Sequence, residues 1–315
     1  MNMESNAVPE AALNSQVIAP AATSATRLMS WSVRRELWEN RSIYIGPLAI
    51  AAVAMLGFMI SLMGLPRDVR ELTRLDPMHQ HIVLAMPYTH VAVLIILIAF
   101  LVGFFYALDA LHGERRDRSI LFWKSLPVSD LTTVLAKASV PLVVLPLLVI
   151  AVVLVLHVSM LLLGLAVVSL SGADAATMWA KLPFFQLEVG LLYGVTVMTL
   201  WHAPLYGWLL LVSGWARRAT FLWAVLPLAA VSVFERIAFH TAHLGSMLGD
   251  RVYGFATEAF NLTLADGTPV DGHFIPLTQF TPLKFLSSPD LWLGLVFAAI
   301  FLAAATRLRR YREPI

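Results

Sequence analysis

Residues 109–137 read DALHGERRDRSILFWKSLPVSDLTTVLAK, and they lie between two long apolar runs, 91–108 and 138–170. The stretch carries Glu114, Arg115, Arg116, Asp117, Arg118 and Lys124, yet also Ile120, Leu121, Phe122 and Trp123. A plain connector between membrane helices needs no such apolar core. A loop that docks into another protein does. The segment therefore predicts an all-α integral membrane protein that presents a docking loop, residues 109–131, to a cytoplasmic partner.

Composition points the same way. Hydrophobic residues make up 59% of the 315-residue chain and charged residues 13%. Soluble domains carry roughly 45–50% apolar and about 25% charged residues. The mean hydropathy is +0.76. A net charge of +2 is too small to argue for nucleic acid as a partner. The chain has no cysteine, so it holds no disulfide, thiolate ligand or thiol nucleophile.

A spanning helix needs ~20 mostly apolar residues. Six runs meet that need: 43–65, 88–108, 138–170, 184–215, 221–239 and 291–306. Pro141 and Pro146 bend the third, Pro204 lies inside the fourth and Pro227 inside the fifth. Ser288 and Pro289 suit the start of the sixth. Residues 1–26 lack the basic start and apolar core of a signal peptide and read as a disordered tail before a 27–315 membrane domain.

Loop charge gives the orientation. With both termini inside, Arg67, Arg70, Arg74, Lys181, Arg236, Arg251 and Lys284 lie outside, and the other 15 of the 22 Lys and Arg lie inside. The opposite orientation would invert the positive-inside rule. Residues 27–40, RLMSWSVRRELWEN, read as a helix lying on the membrane surface. Leu28, Trp31 and Trp38 are spaced to share a face, with Arg34 and Glu39 elsewhere.

Chemical motifs are sparse. The sequence contains no GxxxxGK[ST] loop, no GxGxxG after a strand, no HExxH and no GxSxG. The chain is not expected to hydrolyse ATP or to bind a cofactor itself. Six histidines, His79, His81, His90, His240, His243 and His273, fall in outside segments, and the i, i+3 spacing of His240 and His243 would set them on one helical face. No carboxylate or thiol completes a metal motif around them.

Ionisable residues inside apolar runs carry more weight, because they are costly in hydrocarbon and usually face a bundle interior or wet cavity. Glu188, in the fourth span, and Glu235, at the outer end of the fifth, are candidates for a translocation pathway. His157 and His202 are intrahelical too, and packing explains them as well as a proton relay does. His202 and Pro204 in the sequence WHAP mark a kink, read either as a gate or as a static bend. Gly190 and Gly194 form a GxxxG pair, a spacing that lets helices approach closely. Residues 240–289 read as short helices at the outer leaflet around a turn-rich tip, 264–272.

From residue 27 to 312 the chain resembles the permease subunits of bacterial ABC type-2 transporters. The resemblance rests on the surface helix, six spans and the outer segment before the last. It rests most on Glu114-Arg115-Arg116-Asp117-Arg118-Ser119 through Leu126-Pro127-Val128-Ser129. The block PLYGWLLLVS from Pro204, followed by Trp215-Ala216-Arg217-Arg218, adds to it. The resemblance implies that the 109–131 loop carries a helix docking on a P-loop ATPase. It also implies two ATPase copies holding the ATP and Mg²⁺, and a second copy of this chain or a related permease. The expected product is a bacterial inner-membrane exporter. Two other classes remain: an integral membrane enzyme, and a channel or transporter driven by an ion gradient.

Overall fold

The structure is a computed structural model that describes residues 25–71, 75–125, 128–172, 174–263 and 275–311. Among the described residues fifteen α-helices run in chain order: α1 Ala25–Glu39, α2 Ser42–Ser61, α3 Leu65–Glu71, α4 Pro77–Asp109, α5 His112–Arg116, α6 Ser119–Ser125, α7 Asp130–Ser139, α8 Leu145–Leu170, α9 Ala175–Lys181, α10 Phe184–Trp215, α11 Thr220–Phe239, α12 His243–Tyr253, α13 Phe255–Ala259, α14 Pro282–Ser287 and α15 Pro289–Tyr311. Among the described residues there is no strand, only isolated bridging such as that between Phe260 and Phe280. Most of the expected tail, residues 1–24, lies outside the described residues, as do Leu126, Pro127, residues 264–274 and Arg312. Thr26, assigned to the tail from sequence, already belongs to α1.

Among the described residues six helical stretches are long and apolar enough to cross a bilayer: Ser42–Ser61, His79–Arg116, Asp130–Leu170, Met178–Trp215, Thr220–Phe239 and Pro289–Tyr311. Their starts follow local chemistry. Asp76 caps α4, accepting from the His79 amide, and Pro77 occupies the first turn, where its missing N–H costs nothing. Ser129 caps α7 by accepting from the Thr132 amide at 3.0 Å. Between α7 and α8 the chain continues through a π turn, Val140–Val144, which accommodates Pro141 without ending the helix. α10 runs unbroken through Pro204.

The fourth span, α10, is the hub. Its apolar window is 61% buried, and it packs along α15, α4 and α8. Gly207 lets α15 close on it: a Cβ there would stand 3.2 Å from the Ala298 carbonyl oxygen. The Gly190–Gly194 pair makes no such approach, since a Cβ on Gly194 meets nothing within 4 Å and one on Gly190 meets only the Phe280 ring. The fifth span, α11, is the opposite case, with 6% of its window buried and Ala224 its one buried residue. Exposed Leu226, Phe234, Ile237 and their neighbours give it an apolar surface suited to lipid contact.

Candidate functional site

The end of the bundle that gathers α1, α5, α7 and the last turn of α15 is built around six buried or half-buried charges. The inward face of α1 carries Arg35 and Glu36. Asp130 and Lys137 lie two turns apart on α7, Glu114 lies on α5 and Arg309 in the last turn of α15. Lys137 Nζ stands 2.9 and 3.1 Å from the two oxygens of Glu36 and 3.1 Å from Glu114 Oε1. Arg35 donates to Glu36 Oε1 at 2.8 Å and to Glu114 Oε1 at 2.7 Å. Arg309 donates to Glu114 Oε2. Its Nε lies 3.2 Å from Asp130 Oδ1 at an angle that makes an ion pair rather than a hydrogen bond. Tyr106, near the end of α4, donates to Glu36 Oε2 at 2.8 Å. Three cations thus balance three carboxylates, and Glu39 flanks them at 3.4 Å from Arg35.

A second set of contacts fixes α5 to the hub. The Ser213 hydroxyl of α10 accepts from the Leu111 and His112 amides, each at 2.9 Å. Buried Arg115 donates to the carbonyls of Gly214 at 2.8 Å and Ala216 at 3.2 Å, at the end of α10. Arg118, with φ 58°, then turns the chain through the left-handed region into α6.

The short helix α6 is anchored by buried Ile120 and by Trp123, whose ring lies under the Arg35 guanidinium at 3.8 Å. Leu121 and Phe122 are each 60% exposed. Exposed Arg116, Asp117, Arg118 and Lys124 surround them. The eight residues expected to form a docking loop therefore divide. Glu114 and Arg115 face inward and Trp123 stacks on α1. Arg116, Asp117, Arg118, Phe122 and Lys124 face out.

On α1, Trp31 and Trp38 are exposed, and Arg34 is not on another face: its guanidinium lies 4.9 Å from the Trp38 ring. The four-residue spacing brings them together.

The intramembrane candidates are dispersed. Glu188 accepts from or donates to His157 Nδ1 at 2.7 Å, joining α10 to α8. His202 is buried and its Nδ1 donates to the Met198 carbonyl at 2.7 Å, with the Phe100 and Phe255 rings around it. With Pro141, Pro146 and Tyr206 it lines a cavity of about 40 Å³. Pro204 is buried two residues on. Glu235 accepts from Thr241 Oγ1 at 2.8 Å, the His243 amide at 2.7 Å and the Leu244 amide at 2.9 Å, so it caps α12. His240 and His243 do not share a helical face. His240 ends α11 at φ 55° and His243 opens α12. His273 lies outside the described residues. Among the described residues no three His, Asp or Glu side chains converge as a metal site.

The residues that sequence reasoning missed are Glu36, Tyr106 and Asp130, with Arg35, Lys137 and Arg309 counted only for their charge. One signal was available. Asp130 and Lys137 recur at seven residues, so they share a helical face pointing at whatever α7 packs on.

The fold and these sites define an all-helical, multi-pass membrane protein with six candidate spans. No family model, curated protein or solved structure gives a significant match to the chain.

Proposed function

We propose that this chain is the membrane-spanning permease subunit of an ATP-driven exporter, coupled through α6 to a separate P-loop ATPase. One observation carries the reading: α6, which exposes Leu121, Phe122 and Lys124, stacks Trp123 on Arg35 of α1 and follows directly on α5, which is tied to α1, α7 and α15 by the buried ion pairs of Glu114 and to α10 by the hydrogen bonds of Arg115. A short helix presenting Leu121 and Phe122 on such a base is suited to receive force from a partner and pass it to the spans. ATP and Mg²⁺ belong to two copies of that ATPase. The pathway forms between this chain and a second copy or a related permease. Glu188, His202, Pro204 and Glu235 are the pathway and gate candidates. The chain resides in a bacterial inner membrane with both termini cytoplasmic, which agrees with the distribution of Lys and Arg.

The test is co-purification with the candidate ATPase. Leu121→Asp with Phe122→Asp should abolish recovery of the ATPase while leaving the thermal midpoint of the permease close to the parent, because exposed substitutions usually change stability by no more than about 0.5 kcal/mol. Wild-type recovery of the ATPase by this variant would refute the coupling role of α6.

A further inference from the structure

We propose that Tyr88, His157 and Glu188 form a proton-binding site in the wall of an outer cleft, and that its ligand is one exchangeable proton. The three residues come from different spans, α4, α8 and α10. His157 is 1% exposed, and the Glu188 side chain 16%. The imidazole is held at both nitrogens. Nε2 lies 3.0 Å from the Tyr88 carbonyl oxygen, and Nδ1 lies 2.7 Å from Glu188 Oε1.

This geometry fixes the proton count. A carbonyl oxygen can only accept, so Nε2 carries a hydrogen. The remaining contact, Nδ1 to Oε1, also needs a hydrogen between its two atoms. That hydrogen resides either on Nδ1, giving imidazolium and carboxylate, or on Oε1, giving neutral imidazole and carboxylic acid. Both forms carry one shared proton and no net charge, which suits a site inside the apolar part of the protein. Without that proton, a ring lone pair and a carboxylate oxygen would oppose each other at 2.7 Å, so the two groups must part.

The proton has a route to water. His157 also lines an open-sided cleft of about 220 Å³, whose other polar lining is Thr89 and Gln186. A water occupies about 30 Å³ in the liquid, so the cleft has room for several. On release, the proton leaves the Nδ1–Oε1 contact for water. The ring stays neutral with its Nε2 hydrogen still donated to Tyr88, and Glu188 is left as a carboxylate.

No competing charge occupies the site. The elements packed against α8 bring Tyr44 on α2, Arg67, Asp68 and Glu71 on α3, and His79, His81, Tyr88, His90, Tyr106 and Asp109 on α4. They also bring Lys181 on α9, and Glu188, Tyr193, His202 and Tyr206 on α10. Of these, Glu188 makes the only ion pair with His157 among the described residues, and the Tyr88 ring stands edge-on to it at 5.3 Å. The Tyr88 hydroxyl is buried without a hydrogen-bond partner, a second polar atom left over beside the pair. The shared proton therefore ties three spans together, and its loss unties α8 from α10.

The experiment uses the full chain in lipid nanodiscs, with ¹⁵N-labelled histidine and protons as the probe. The His157 ring signals are assigned by their disappearance in His157→Gln. As the pH is raised, the His157 Nδ1 signal should move in the parent. In Glu188→Gln the amide donates to Nδ1, mimicking the protonated acid without titrating, and the signal should stay at its neutral-ring position. A cysteine at Gln186, read against one at Asn261 to remove the intrinsic pH effect on the thiol, should label several-fold faster as pH rises in the parent. In Glu188→Gln its relative rate should stay constant. A His157 signal that is static in the parent, or that moves identically in Glu188→Gln, overturns the proposal. So does a Gln186 labelling ratio whose pH response is the same in both proteins.

Discussion

Replacing Lys137 with Met removes the one ammonium shared by Glu36 and Glu114. The three side chains are at most 7% exposed, so water screens little of their interaction. Arg35, Lys137 and Arg309 balance Glu36, Glu114 and Asp130 in the native protein, and the substitution leaves the group at −1. Methionine keeps most of the aliphatic stem, so the loss is electrostatic rather than a cavity. Removing one partner from a buried ion pair costs about 3–5 kcal/mol, because the other charge stays desolvated. Adding Glu36→Gln returns the group to neutrality. The glutamine oxygen still accepts from the Tyr106 hydroxyl, which donates to Glu36 Oε2 in the native protein. The double variant should therefore be more stable than Lys137→Met alone, by about 1 kcal/mol or more, within the coupling range of contacting residues. Pulse proteolysis in detergent micelles, with thermal midpoints alongside, reads the order parent, double, single. A Lys137→Met protein as stable as the parent, or a double variant weaker than the single, would refute the account of this cluster.

Gly207→Val should cost about 1–3 kcal/mol in the thermal midpoint by forcing α15 off α10, whereas Gly194→Val, with open space around it, should leave the midpoint unchanged. Glu235→Ala removes the acceptor of three hydrogen bonds at the α11–α12 turn. The cost should be a cap's, about 0.5–2 kcal/mol, seen as faster hydrogen exchange confined to α12 and smaller in Glu235→Gln. Asn261→Cys should react with an impermeant maleimide on intact cells, and Arg118→Cys only after permeabilisation. The reverse pattern would overturn the orientation, and the absence of native cysteine keeps both readings clean.

Long apolar runs announce spans because nothing else explains them, and all six were legible. Their ends were less so. The second span begins at Pro77 rather than near Tyr88, because Asp76 caps a turn whose histidines and glutamine look like loop in composition. The third reaches back to Asp130 because Ser129 caps it and the π turn absorbs Pro141. The charge cluster was hidden for a different reason. Glu114 and Arg115 stand in a five-residue helix, too short to show a periodicity that separates inward from outward residues. Apart from Lys137, their partners are about 80 to 200 positions away in the chain, which no local pattern encodes. Glu188 was legible as an anomaly in an apolar run, but its pairing with His157 depends on how α8 and α10 align.

The cluster also constrains how the proposed coupling can work. A force on α6 reaches α1 through Trp123 and Arg35, and α15 through Glu114 and Arg309. It reaches α10 through Arg115. Separating any of these buried charges costs several kcal/mol, more than the fraction of a kcal/mol an exposed contact resists. The ends of these elements nearest α6 are therefore expected to move as one unit, with the turn at Arg118 as the joint between α5 and α6. The compliant parts must lie farther from α6. α11 is held by few buried residues. The middle of α8 and the start of α10 are joined at the His157–Glu188 contact, which we propose is set by a single proton. A rigid base around Glu114 and the proposed proton-dependent contact between α8 and α10 place the freedom to rearrange away from α6.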